Sequence, residues 1–380
     1  MKTNAANTIF VIAFMLMLLI PTAFVHPSGG IASEQENRML ASRPYLADIR
    51  KSPSGFIRQF DDWFSDNVGF RKSLIDLHKI IERMENQVRY AENYLIGEEG
   101  HHYFAGVDSH LVRKFQGKSP LTDDELARLS DQLNEVKGYL DERNIPFIVM
   151  FCTDKESVYP EYYPKSIMRG SEPIQLDIIT DYLKENTNVD VFNIRQRLLA
   201  EKENYLLYNK TADLGHYNGI GGFFAYLELM KHINVHYPYL KPLTLEDIDI
   251  SYDANGIPIV SLKTKAQYEQ LESSFFDNVE LDRPFTWENA AYKNNDLSLP
   301  TVLFMKDSNA RYFLPNGDYE KFIEQYLPQH FGNAIFIHYM NTIYLKEYIY
   351  IYNPNIVVFQ VTERQFLAFF DFLINLSFSE

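Results

Sequence analysis

The chain has 380 residues, enough for a large core and one or two domains. Its formal charge of -15 argues against nucleic acid, whose phosphates call for basic patches. The single cysteine, Cys152, excludes an internal disulfide. No Cys, His and Asp group has zinc-like spacing, so neither a metal nor a cofactor is expected.

Thr8 to Val25 carries no charge over eighteen residues, long enough to span a bilayer. We read it as an uncleaved N-terminal membrane anchor. Lys2 before it is a weak positive-inside cue. The small residues after it would allow cleavage, and either outcome places the body outside the cytoplasmic membrane. Ser33 to Pro44 is a polar linker. From Phe56 to about Tyr90 the pattern is helical, with Phe56, Phe60, Trp63 and Phe64 on one packing face. Asp66 to Arg71 interrupts it with a turn signal, and Tyr94 to Phe104 reads as a short hairpin.

Thr122 is a plausible N-cap for a helix to about Arg143, and the acids behind it suit the helix dipole. There follow a strand Ile145–Phe151, a helix near 173–185, a strand Val189–Ile194, and a helix from about Gly219 to Ile233. This alternation predicts an α/β fold with a mostly parallel sheet. Residues 242–296 break the rhythm. Asn255-Gly256 between two apolar runs predicts a hairpin there, and the stretch is read as an insertion near the site. A strand Thr301–Met305, a helix at about 316–327, a strand Ala334–His338, a helix at about 342–350, a strand Ile356–Val361 and an apolar helix close the chain. The expected division is 1–29 anchor or signal segment, 30–120 N-terminal helical region, and 121–380 catalytic domain.

Thr301–Met305 is a short β-branched apolar run that stops at Lys306-Asp307-Ser308. A hydroxyl is thereby offered at the carboxyl end of a buried strand, where open α/β sheets gather their chemistry. Upstream, Asp213-Leu-Gly-His216 lies in a polar loop before a helix. Its histidine can take a serine proton and its carboxylate can hold the imidazole tautomer. The alternative is a helix-capping aspartate beside a surface histidine. Asp108-Ser109-His110 lacks a preceding strand and ranks below it. Cys152, at a strand end, is either a second nucleophile or a small buried hydrophobe. Glu363-Arg364 follows the last strand and faces the same edge, or forms an ion pair at a helix start.

These features together resemble the SGNH-type acyltransferases of the alginate O-acetylation family, over nearly the whole chain after the apolar stretch. Ser33-Glu-Gln-Glu-Asn-Arg38 with Ala41 and Pro44 is similar to the family's N-terminal motif, and Asp66 to Arg71 to its Asp-x-x-x-x-Arg. Asp154-Lys155 with Val158-Tyr159-Pro160, and Asn353-Pro354-Asn355 with Glu363-Arg364, resemble two further signatures. Asp213, His216 and Asp307-Ser308 fall where the family places its catalytic residues, with the Asp-His pair ahead of the serine. Three departures stand out. The spacing is Asp-x-x-His where the family has Asp-x-His-Trp, with Tyr217 following. Lys306 replaces a glycine, and Asn309 replaces a phenylalanine.

The resemblance implies an SGNH-hydrolase-like α/β/α sandwich and an extracytoplasmic O-acetyltransferase acting on an exopolysaccharide or cell-wall polysaccharide. Ser308 is the expected nucleophile, His216 the base and Asp213 its orienting acid. Asp307, Lys306, Asn309, Tyr217 and Arg364 are expected neighbours of the site. The implied partners are a polysaccharide acceptor and a polytopic membrane O-acyltransferase that passes the acyl group outward. The same triad would serve a carbohydrate esterase, with water as acceptor. A non-catalytic polysaccharide-binding assembly protein is the third reading.

Overall fold

A computed structural model describes the chain apart from residues 1–11, 13, 17–18, 26–31, 34–37, 51–52, 72, 75–76, 78–89, 92–93, 106–110, 119–120, 213–214, 255, 277–288, 314–318, 375 and 377–380. The chain forms two compact units, Met1–Gln87 and Val88–Glu380. In the first, helix α1 (Pro53–Asn67) buries Trp63, with Phe60 ringed by Phe56, Trp63 and Phe64 as its spacing predicts. The Asp66 carboxylate accepts from the Ala41 N–H at 2.7 Å and lies 4.0 Å from Arg71. This ties the sequence motifs around Ala41 and Asp66 to one another. Part of Thr8–Val25, and Asp108-Ser109-His110, lie outside the described residues. Among the described residues no helix is long and apolar enough to cross a membrane.

The second unit is built on a seven-stranded sheet. Its strands are β1 (Phe147–Cys152), β2 (Asp190–Asn193), β3 (Tyr268–Gln270), β4 (Ala290–Asn294), β5 (Thr301–Lys306), β6 (Asn333–His338) and β7 (Ile356–Thr362), in the order β3-β4-β6-β5-β7-β1-β2. Five of them, from β6 to β2, run parallel; β3 and β4 add an antiparallel edge. β1 and β7 are buried along their whole length. That is why they read as continuous apolar runs: helices cover both faces of a parallel sheet.

On one face, Ile148, Met150, Phe304 and Val358 pack with helix α5 (Gly219–His236). On the other, α7 (Phe366–Ile374) lies against Phe151 and Phe359, and packs with α2 (Asp123–Asp141), which in turn packs with α3 (Gln175–Asn186). The result is a three-layer α/β/α unit.

Residues 242–296 only partly stand apart. The Asn-Gly hairpin forms as Ile248–Tyr252 with Pro258–Leu262, and packs on α5. The later part of the stretch supplies β3 and β4 to the sheet itself. One element differs from expectation. The helix predicted at 316–327 is helical only from Ile323, because Arg311–Phe313 and Tyr319–Lys321 pair as an antiparallel ladder. Pro315-Asn316-Gly317 between them is a turn signal that outweighs the helical pattern.

Two local devices set the register where β5 and β7 start, at the end of the sheet opposite the site. Helix α6 (Leu345–Tyr352) ends at Asn353, whose φ of 43° is the left-handed stop that asparagine tolerates. Asn355 then exchanges bonds with Thr301: its amide N–H donates to the Thr301 carbonyl, and its Oδ1 accepts from the Thr301 N–H. β5 and β7 therefore start in step. Far from the sheet edge, Thr122 caps α2 with a reciprocal box. Its hydroxyl accepts from the Glu125 N–H, and Glu125 accepts from the Thr122 N–H at 2.7 Å. Thr122→Ala is expected to lower unfolding free energy by about 1 kcal/mol. Urea denaturation measures this, with the slope of the transition unchanged.

Candidate functional site

Strand order decides where chemistry can sit. The chain leaves β1 toward β2 on one side, but leaves β5 toward β6 on the other. Connections that diverge in this way open a crevice at the strands' carboxyl ends. β7 runs between them, so the residues that follow β1, β5 and β7 meet at one edge. Those residues are Thr153-Asp154-Lys155, Asp307-Ser308-Asn309 and Glu363-Arg364.

The turn after β5 is held from below. The Asp307 carboxylate, 1% exposed, accepts from Gln360 Nε2 at 2.7 Å, the Thr362 N–H at 2.5 Å and the Asn309 N–H at 2.9 Å. It is spent on backbone and amide donors, and it fixes the turn on β7. Asn309 is likewise turned inward: its Nδ2 donates to Thr362 Oγ1, and its Oδ1 is buried with no hydrogen-bond partner among the described residues. Ser308, between them, is half-buried.

His216 arrives from the loop before α5. Its Nε2 lies 2.8 Å from Ser308 Oγ, although the two residues are 92 positions apart. Just beyond it, Asn218 caps α5 by accepting from the Ile220 and Gly221 N–H groups, and its Nδ2 donates to the Leu206 carbonyl. Gly221 is required here. A Cβ on it would sit 2.6 Å from the Leu207 carbonyl oxygen and 2.7 Å from Tyr217 Cβ. Phe322 stands beside the imidazole, ring centroids 6.2 Å apart. Asp213 lies outside the described residues.

The loop carrying His216 is laced to the end of β1. The Tyr208 hydroxyl donates to the Thr153 carbonyl at 2.8 Å. The buried Lys155 ammonium donates to the carbonyls of His102, Asn209 and Lys210 at 2.7, 2.7 and 3.0 Å. Arg364 Nη1 donates to the Gly215 carbonyl and to Asp154 Oδ1, each at 2.5 Å. The other Asp154 oxygen is 2.6 Å from Lys114 Nζ. Burial alone would raise the Asp154 carboxyl, but Lys114 and Arg364 outweigh it and hold the group below its ordinary range. Arg364 was legible as a neighbour of this edge. Lys114 and Gln360 were not singled out, though a glutamine inside Ile-Val-Val-Phe-Gln-Val-Thr is a visible polar break in a core strand.

The remaining predicted neighbours are placed as follows. Lys306 is fully buried, in register with His338 on β6. Burial and the Lys306 charge push the His338 imidazole well below its usual range, so it is neutral. Tyr217 is buried against Phe322, with its hydroxyl 3.9 Å from Cys152 Sγ. Burial and the nearby Asp307 charge push the Cys152 thiol far up, which suits the small buried hydrophobe and not a thiolate nucleophile.

No protein-family model matches the chain, and no curated protein matches it. Among solved structures, the chain is similar to Bacillus cereus PatB1 with a sulfonyl adduct, at 16% identity over 73% of this chain and 95% of that one, TM-score 0.49. It is similar to the O-acetyltransferase domain of Pseudomonas putida AlgJ, at 13% identity over 74% and 99%, TM-score 0.43. It is also similar to Pseudomonas aeruginosa AlgX, at 10% identity over 74% and 67%, TM-score 0.39.

The ion cluster reaches away from Ser308 as well. Lys114 also lies 3.5 Å from Glu156 and 3.3 Å from Glu363, and all three line a cavity of about 130 Å³ that neither Ser308 nor His216 borders. Burial, then the Asp154 and Glu363 charges, lift the Glu156 carboxyl to about 8 against the pull of Lys114. Between the unfolded value of 4.5 and about 8, the folded chain therefore keeps a proton that the unfolded chain has lost. Stability falls as pH rises through that window. Glu156→Gln, which cannot titrate, is expected to gain stability relative to wild type from pH 5 to pH 8. Denaturation midpoints across that range measure the slope; parallel curves would contradict the assignment.

Proposed function

We propose that the chain is an extracytoplasmic serine O-acyltransferase that transfers acetyl groups to hydroxyls of a secreted or wall polysaccharide. The observation that carries the reading is the 2.8 Å approach of His216 Nε2 to Ser308 Oγ at the switch point of the sheet. A serine with a base at hydrogen-bond distance is the arrangement that acyl transfer through a covalent intermediate requires. The polysaccharide and the acetyl group come from the sequence resemblance. So does a separate polytopic membrane acyltransferase as donor. The uncharged stretch Thr8–Val25, read as an anchor, supports a body outside the cytoplasmic membrane.

In this mechanism Ser308 Oγ attacks the donor's carbonyl carbon while His216 Nε2 takes the hydroxyl proton. The tetrahedral intermediate places its oxyanion toward the Ser308 backbone N–H. Collapse expels the donor's leaving group, which takes the proton from His216, and leaves an ester on Ser308. A sugar hydroxyl then attacks that ester, gives its proton to His216, and departs acetylated as Ser308 Oγ recovers the proton. Asp213 is assigned the role of holding the imidazole tautomer, on its spacing of three from His216. Lys306 is assigned no proton transfer.

Release of acetate from a chromogenic acetyl ester by the full chain tests the reading. Ser308→Ala and His216→Ala are each expected to lower turnover by about 10³-fold or more. A polysaccharide acceptor is expected to divert acetyl groups from water to sugar. Full activity in Ser308→Ala would rule the nucleophile out. Acetate release indifferent to every acceptor would make the protein an esterase.

A further inference from the structure

We infer that Arg364 is a positioning residue for the His216 imidazole, acting through the Gly215 carbonyl; the inference rests on the Ser308–His216 reading above. Arg364 Nη1 donates at once to Asp154 Oδ1 and to Gly215 O. The Gly215 carbonyl belongs to the peptide unit that ends in the His216 nitrogen. That unit is planar and ends at the His216 Cα, so holding its oxygen restrains the point from which the His216 side chain leaves the backbone. The anchor itself does not move easily. Asp154 is held on its second oxygen by Lys114, and its N–H donates to Glu363 Oε2 at 3.1 Å. Glu363 in turn accepts from Ser157 Oγ at 2.8 Å. The guanidinium also lies over the Phe104 ring, 5.8 Å from its centroid. Arg364 and Asp154 side chains are only 5% and 3% exposed, so this ion pair keeps most of its strength against solvent.

The ends of β1 and β7 thus set the place of a base that must meet a hydroxyl carried by β5. Lys155 holds the earlier part of the same loop at Asn209 and Lys210. Arg364 holds the part next to the histidine. A misplacement of about 1 Å at reacting atoms can cost on the order of 10²-fold in rate. Gly215 shows how close the fit is. A Cβ there would lie 3.2 Å from Arg364 Cζ and 3.3 Å from Nη2, so an alanine makes the guanidinium give by a few tenths of an ångström.

The test is the rate at which an alkyl fluorophosphonate labels Ser308 in the full chain, read by peptide mass. In that step the serine oxygen bonds to phosphorus, fluoride leaves, and His216 receives the proton. Arg364→Gln is expected to slow labelling on the order of 10²-fold, with Arg364→Lys intermediate. In a His216→Ala background Arg364→Gln is expected to change nothing, because Arg364 acts only through the imidazole. Gly215→Ala, which removes no buried charge, is expected to slow labelling several-fold at unchanged melting temperature. It carries the test if Arg364→Gln does not fold. Wild-type labelling rates in Arg364→Gln or Gly215→Ala, or equal slowing with and without His216, would overturn the inference alone. A wild type that is not labelled at Ser308 would remove the nucleophile assignment, and this inference with it.

Discussion

The carboxylate of Asp154, buried between two cations, is the contact on which the carboxyl edge of the sheet depends. One oxygen faces Lys114 and the other Arg364, so a group at the end of β1 reaches both the short helix Leu111–Phe115, which carries Lys114, and the residue after β7. Such a cluster is expensive to desolvate, and it persists only where each charge is paired. Three carboxylates, Asp154, Glu156 and Glu363, share Lys114, with Arg364 closing the set. Burial resolves the excess negative charge by keeping Glu156 protonated near neutrality. The arrangement is a rigid frame that happens to end on the carbonyl next to His216.

A second buried carboxylate does parallel work on the other segment. Asp307 is bound by a backbone N–H of β7, by Gln360 and by Asn309, which leaves Ser308 as the residue of its turn that meets the histidine. The two frames share β7: Gln360 and Thr362 serve Asp307, while Glu363 and Arg364 serve Asp154. One strand therefore registers both the hydroxyl and the loop that brings the imidazole to it. The Asn355–Thr301 exchange at the opposite end keeps that strand in step with β5.

Much of this was legible in the residues. The apolar runs Ile145–Phe151, Thr301–Met305 and Ile356–Val361 announced buried strands, and the polar break after Met305 marked Ser308. The pairing of Ser308 with His216 followed from chemistry, since a serine at a strand end needs a base, and the geometry brings the two together. What could not be read was how the loop reaches the serine. Lys114 and Gly215 are distant in sequence from Arg364, and a lysine or glycine alone carries no periodicity that points to a partner. The pairing of Arg311–Phe313 with Tyr319–Lys321 was hidden because strands of three residues are too short to show a period of two. β3 and β4 looked like part of an insertion because short antiparallel edge strands break the alternation of a parallel sheet.

The account stands most directly on whether Ser308 carries the acyl group during turnover. Acid quenching of the full chain in steady state with an activated acetyl ester, followed by peptide mass mapping, measures it. Acetyl is expected on the Ser308 peptide in wild type and none there in Ser308→Ala. Steady turnover with Ser308 unmodified, or the acetyl group on another residue, would contradict it.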